Sequence, residues 1–306
     1  MTTHTESARY YAAQSLVTDP GQYAFLFDGL PNDIPTLCEV VRGLHMHLEE
    51  GELYGIRIPR SRLSETSIRS VQKMIDHIIH CDDRPLIEAR EPKQRLVGCC
   101  RDFAVMLCAM LRHRGIPARV RYGFAKYINH PDFEYVDHVV TEYWHPKSER
   151  WVLVDSQLDD RHIKMNRIEF DPHNVPTTEF LFAGEIWRRC RIGEADPDAF
   201  GYQRGLKGLW VIAEYVVHDL ASLNKHEMQI TDKWGLSDVG PDGVFSDDDL
   251  ALLDEAARVT RTENVDLKKL QSLFEEERLR LPRTLNRYDL QKRRLVKTDW
   301  ITELGS

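Results

Sequence analysis

The sequence predicts an α+β fold: a cysteine-bearing helix packed on an antiparallel sheet, with helical additions before and after it. Three observations carry this. Residues 103–111 are an almost unbroken run of strong helix formers that opens on Gly98-Cys99-Cys100. Three segments of strand-like alternation follow closely, over 118–125, 136–145 and 150–155. Apolar residues at 3.6-residue spacing occupy most of the chain on either side. At 306 residues the chain is long for one core and short for two. It divides into a helical segment 1–89, a core 90–170 and a helical region 171–306, expected to form one compact unit.

In the first segment, Ile34, Leu37, Val41, Leu44 and Leu48 share a helix face, with Pro31 or Asn32-Asp33 at the start and Gly51 at the stop. A second amphipathic run carries Ile68, Val71, Met74-Ile75 and Ile78-Ile79 between the cap-like Ser64-Glu65-Thr66 and Cys81–Pro85. Neither buries its apolar face alone, so both are expected to pack on the core. The cysteine helix ends at Gly115-Ile116-Pro117, a C-cap glycine with proline two residues on. The turn Pro146–Glu149 joins the second and third strands. Helical signals return after Asp171: 180–189, the strongly amphipathic 206–223, a run capped at Ser246-Asp247-Asp248-Asp249, and one through Val265, Leu267, Leu270 and Phe274. The basic stretch 278–297, interleaved with leucines, reads as a solvated strap across an acidic body.

Composition excludes several functions. A formal charge of −8 offers no general attraction to nucleic acid or to an anionic membrane. No apolar run is long enough for a spanning helix. The N-terminus has neither the basic nor the apolar region of a secretory signal, and the six cysteines are sparse, so reduced thiols in the cytoplasm are expected. His45 and His47 would point different ways on a helix, and His77 and His80 have no third ligand near in sequence, so these histidines read as solvated or satisfied. Asp238–Asp249 matches a calcium loop only loosely and reads better as a turn entering a helix cap. No metal and no cofactor are expected.

The chemistry lies in the core. A cysteine in the first turn of a helix sits where unpaired N–H groups and the positive end of the helix dipole favour a thiolate, which predicts a depressed thiol pKa. Along the second strand His138, Val140, Glu142 and Trp144 share one face. If His145 and Arg150 close the turn, Asp155 lies opposite Val140 and diagonal to His138 on that same face, and a one-residue slip would separate them. A helix laid across that face would bring its thiol to the imidazole. Cysteine, histidine and carboxylate together suit acyl transfer: the thiol attacks a carbonyl, the imidazole carries the proton, the carboxylate orients the ring, and helix N–H groups receive the oxyanion. Asp137, Asp159 and Asp160 are alternatives to Asp155 as the orienting group. Cys108 and Cys190 read as inert, and Asp102 as a first-turn residue pointing away from the sulfur.

These residues resemble the transglutaminase-like superfamily: Gly98-x-Cys100-Arg101-Asp102-Phe103-Ala104, then Leu111-Arg112-x-x-Gly115-Ile116-Pro117-Ala118-Arg119, Asp137-His138, and Trp151-Val152-Leu153-Val154-Asp155, in that order. The resemblance covers about residues 90–160. It implies a papain-like core with Cys100 as nucleophile, His138 as base and Asp155 as orienter. It also implies a peptide or small-molecule substrate with an amide or ester bond, attacked by a peptidase, amidase or amide-transfer enzyme. The alternative is an inactive core that binds a peptide or protein partner. The pattern departs from the family at Cys99, a second thiol beside the nucleophile, and at Val140, where a tryptophan is frequent. No aromatic precedes Cys100 to complete an oxyanion hole, which leaves Gln94 as the candidate side-chain donor. The acyl donor, the acceptor and the oligomeric state are not legible.

Overall fold

The computed structural model describes residues 3–202, 205–261 and 265–305, with the side chains of 3–5 left aside. Its centre is helix α4 (Cys100–His113), buried from Cys100 through Arg112. A helix this apolar is stable only when covered all round. Three N-terminal helices, α1 (Thr3–Ala12), α2 (Ile34–Leu44) and α3 (Val71–Cys81), supply part of the cover. Asp33 caps α2 through the Thr36 N–H, and Ser70 caps α3 through the Lys73 N–H, six residues later than the expected cap at Ser64. The stretch before it, Arg60–Ser67, is instead a 3-10 turn.

Helix α2 also stops short of Gly51. Its continuation leaves the helical path at His45, and β1 (His45–His47) pairs in parallel with β2 (Leu96–Gly98). All six residues of this pair are buried. Tertiary pairing outweighs the helical spacing of Leu44 and Leu48, and it clamps the backbone just before the cysteine helix. Asp102 folds back at that junction, accepting from the Cys99 N–H at 2.8 Å and pairing with Arg101 Nη1 at 2.9 Å. A Cβ on Gly98 would come within 2.6 Å of the Asp102 carboxylate, which is why glycine stands there.

The main sheet runs β5 (Arg150–Val154), β4 (Tyr135–His145), β3 (Ala118–Ala125), β6 (Phe180–Phe182), all antiparallel, with the short β7 (Phe200–Gly201) parallel to the start of β4. His145 faces Arg150 across the tight turn, so the β4–β5 register is the one its length implies. The sheet is sided. Val139, Tyr143, Tyr122 and Phe124 join α4 in the larger core, and Thr141 Oγ1 donates to the Ala104 carbonyl of α4 at 2.9 Å. Val140, Leu153, Ala125 and Phe180 form a smaller core on the other face.

Beyond the sheet follow α5 (Asp160–Asn166), α6 (Ala183–Arg191), α7 (Leu209–Leu223), α8 (Asp247–Thr260, capped by Ser246) and α9 (Leu267–Phe274). The apolar run at 180–182 is strand β6, and the helix begins only at Ala183. Helix α7 packs on β3, where Arg121 bridges Glu142 (2.9 Å) and Asp219 of α7 (2.9 Å), all fully or nearly fully buried. The basic stretch near the C-terminus is not a loose strap. β9 (Thr284–Asp289) and β10 (Arg294–Asp299) form a hairpin that adds to β8 (Asp232–Lys233), and α10 (Trp300–Gly305) follows. Arg69, buried just before α3, ties down β8 through Asp232 and α10 through Glu303. The calcium-like stretch is structural: Asp238 accepts from Asn286 Nδ2, and Asp249 closes a capping box with Ser246. Among the described residues there is no group of three or more His, Cys, Asp or Glu that could hold a metal ion. Among them, too, no helix is long and apolar enough to cross a membrane.

Candidate active site

His138 sits near the start of β4, paired with Gly123 of β3. Its Nε2–H donates to Asp155 Oδ2 at 2.7 Å, with both residues buried. Asp155 lies one residue past the last pair of β5, on the face that register assigns it. Two further donors fix this carboxylate: Tyr127 Oη–H to Oδ2 at 2.8 Å, and the Gln157 N–H to Oδ1 at 3.0 Å. Burial raises the Asp155 pKa, but His138, Tyr127 and the Gln157 N–H together outweigh it and hold the carboxyl below the usual range. Tyr127 is pushed well above the ordinary tyrosine value, by burial first and the Asp155 charge second, so it remains a donor. The His138 ring stands edge-on to Tyr127 and Phe180. With Nε2 bonded to Asp155, Nδ1 is the nitrogen left for chemistry.

Cys100 is the first residue of α4 and is 4% exposed. Helix α4 does not cross the face that carries His138. It packs on the opposite face, that of Val139, Thr141 and Tyr143. The reason is bulk: the apolar length of α4 needs the larger core, and the His138 face is already filled by the smaller one. Thiol and imidazole share a cavity at the helix end instead. Both line one cavity of about 550 Å³, and the Val139 N–H, beyond the last β5 pair, is a backbone donor on the Cys100 side that favours its thiolate.

The depressed thiol pKa expected from the helix terminus is not what the surroundings produce. The interaction with the neighbouring Cys99 side chain comes first, then burial, then the electrostatic influence of Cys99 and Asp137; together they push Cys100 well above the ordinary thiol value. Only the Val139 N–H acts the other way. Cys100 therefore rests as a neutral thiol. Burial likewise pushes Cys108 up to about 12 and Cys190 up to about 11.

Cys99 is the helix N-cap and lines the same cavity. Gln94 does not. It is exposed on a 3-10 turn before β2 and is absent from the cavity wall, so it cannot serve as the oxyanion donor there. The Cys100 N–H has no intrahelical partner by position, whereas the Cys99 N–H is taken by Asp102. Of the carboxylates weighed from the sequence, Asp155 is the one bonded to His138; Asp137 accepts from Tyr215 Oη–H on its Oδ2 at 2.5 Å. Asp159 caps α5 and pairs with His162.

Sequence reasoning missed Tyr127, which lies in the loop after β3 with no pattern to mark it. It also missed the far wall of the cavity: Tyr202, Leu206 and Trp210 before and in α7, Ile230, Thr231, Lys233, Ser237 and Asp238 around β8, and Tyr288, Leu290 and Leu295 of the C-terminal hairpin. The wall is largely apolar, with Lys233 its one lysine or arginine among the described residues.

The sequence profile of the Transglutaminase-like superfamily matches residues 69–156, a span that contains Cys100, His138 and Asp155. No curated protein matches the chain. Among solved structures the chain is similar to "a Putative Cysteine Protease" from Cytophaga hutchinsonii, at 18% identity and a TM-score of 0.30, over 48% of this chain and 41% of that one. The chain thus spans less than half the length of that protein.

Proposed function

We propose that the protein is a thiol enzyme of acyl transfer on amide or ester bonds, with Cys100 as nucleophile, His138 as base and Asp155 as the group that orients it. The observation that carries this reading is the His138–Asp155 bond of 2.7 Å, with ring and thiol opening into one cavity. Because Asp155 holds the proton on Nε2, Nδ1 is a base. It takes the Cys100 proton as sulfur attacks the substrate carbonyl, so thiolate forms during attack rather than before it. The oxyanion forms beside the Cys100 N–H. His138 then protonates the leaving amine or alcohol, and a thioester remains for water or an amine to cleave. The superfamily profile over residues 69–156 supports this assignment.

Exposure to p-nitrophenyl acetate tests it. The intact mass is expected to rise by one acetyl group on Cys100, and no adduct is expected in Cys100→Ala. A burst that persists in Cys100→Ala, or no adduct at all, would defeat the proposal. The raised, buried thiol favours a second reading, a core that binds a peptide or partner without turning it over. Ligand binding unaffected by Cys100→Ser, with no acylation by any ester, would establish that reading instead.

A further inference from the structure

Lys233 is a half-buried lysine that the acyl-transfer chemistry does not use. Strand β8 has two residues, and they face opposite ways: Asp232 toward Arg69, Lys233 toward the cavity. The ammonium bonds Glu214 Oε1 and, at 3.1 Å, the Tyr202 hydroxyl, which itself donates to Glu214 Oε2. Glu214 has no exposure at all, whereas the Lys233 side chain keeps 18%. The carboxylate therefore stands behind the ammonium, and the ammonium fronts the cavity. An ammonium has three N–H donors, of which Glu214 and Tyr202 take two. The third remains for whatever occupies the cavity.

The surroundings select the kind of acceptor. Asp238 and Asp137 act on Lys233 through space, yet burial outweighs both and brings it down to about 7. An added polar partner is thus welcome. A carboxylate placed on Lys233 would join Glu214, Asp137 and Asp238, three carboxyl groups already acting on one ammonium, and would meet their repulsion. An uncharged carbonyl oxygen takes the same N–H without that opposition.

We propose that Lys233 is a specificity-determining residue which grips an uncharged carbonyl oxygen of the acyl donor, remote from the bond under attack, so that amide- or peptide-bearing donors enter in preference to free acids. The inference rests on the acyl-transfer reading and deepens it. Glu214 and Tyr202 position the ammonium, and the apolar wall of Ile230, Trp210 and Leu295 holds the chain between the two carbonyls.

Three p-nitrophenyl esters of equal reach test it: pentanoate, 4-carbamoylbutanoate and the monoester of glutarate, read as the rate of adduct formation on Cys100. The carbamoyl ester is expected to react about tenfold or more faster than the carboxylate ester, the ratio one charge-assisted hydrogen bond supports. In Lys233→Met/Glu214→Gln, which keeps the wall uncharged, the carbamoyl-to-pentanoyl ratio should fall to near one, and Lys233→Arg should restore part of it. An unchanged ratio in the double variant, or a carboxylate ester that reacts fastest, would overturn the proposal. A second measurement needs no acyl transfer: glutaramide, and not glutarate, should protect Cys100 from iodoacetamide in the wild type and lose that effect in the double variant. Protection without any ester adduct would refute acyl transfer and sustain the Lys233 subsite. Absence of both protection and ester discrimination would refute the subsite.

Discussion

Replacing Asp155 by asparagine separates structure from chemistry at this site. Asp155 Oδ2 accepts from His138 and Tyr127, and Oδ1 accepts from the Gln157 N–H. Asparagine offers one oxygen and one NH2, so it has two ways to sit. With its oxygen toward His138 and Tyr127, the NH2 meets the Gln157 N–H donor to donor, and a buried hydrogen bond is lost at a cost of about 1–3 kcal/mol. With its oxygen toward Gln157, the NH2 meets Tyr127, whose hydroxyl can accept, and His138, whose Nε2 must then be unprotonated. This second arrangement keeps every bond and is the one expected. It moves the imidazole proton to Nδ1, where it blocks uptake of the thiol proton. Asp155→Asn should therefore melt close to wild type, within about 1–3 kcal/mol, yet acylate Cys100 more slowly by roughly 10³–10⁴-fold, the penalty for a wrong tautomer. Urea unfolding gives the first quantity and the p-nitrophenyl acetate burst the second. A folded Asp155→Asn protein that acylates at the wild-type rate would refute the assignment of Asp155 as orienter.

Iodoacetamide labelling of Cys100 across pH should show an inflection above the ordinary thiol value of about 8.5. In Cys99→Ala the first cause of the raised value is gone, so the inflection should move to lower pH. Labelling at pH 8 should then quicken, because each tenfold gain in thiolate multiplies the rate by about ten. A wild-type inflection below pH 7 would refute the neutral-thiol picture. His162 is raised to about 9 by Asp159 and Glu50, against burial, which is the largest influence and lowers it. A raised group stabilises fully below its unfolded value of about 6.5 and loses that contribution as pH climbs through 9. Denaturation midpoints should therefore decline over that window, and His162→Gln should flatten the decline; equal pH profiles would count against it. The same histidine supports Glu50, which accepts from Gln157 Nε2 at 2.6 Å, so its deprotonation loosens the segment that fixes Asp155. Finally, a Cβ on Gly123 would fall 2.2 Å from the Leu181 carbonyl. Gly123→Ala should push β6 and Phe180 away from His138 and destabilise by about 1–3 kcal/mol, read by thermal melting; an unshifted melt would mean that β6 yields freely.

What the chain determines by itself is local. Alternation over 118–125, 136–145 and 150–155 marks β3, β4 and β5, and the tight turn at 146–149 sets a register in which His138 and Asp155 share a face, because side-chain period and turn length are properties of neighbouring residues. The apolar run after Cys100 likewise has no stable form except a buried helix. Tertiary structure decided the rest. Which sheet face α4 covers depends on the volume of two separate cores, and His45–His47 left the helix for β2, some fifty residues away. Gln94 fell outside the cavity although it lies only six residues before Cys100, since its position follows from a turn and not from chain distance. The protonation of Cys100 turned on desolvation and on the charges packed around it, which no periodicity records. Lys233 and the hairpin of β9 and β10 wall the cavity of the thiol from more than a hundred residues downstream. Backbone geometry is written residue by residue, whereas solvent exclusion and charge environment exist only once distant segments have closed on one another.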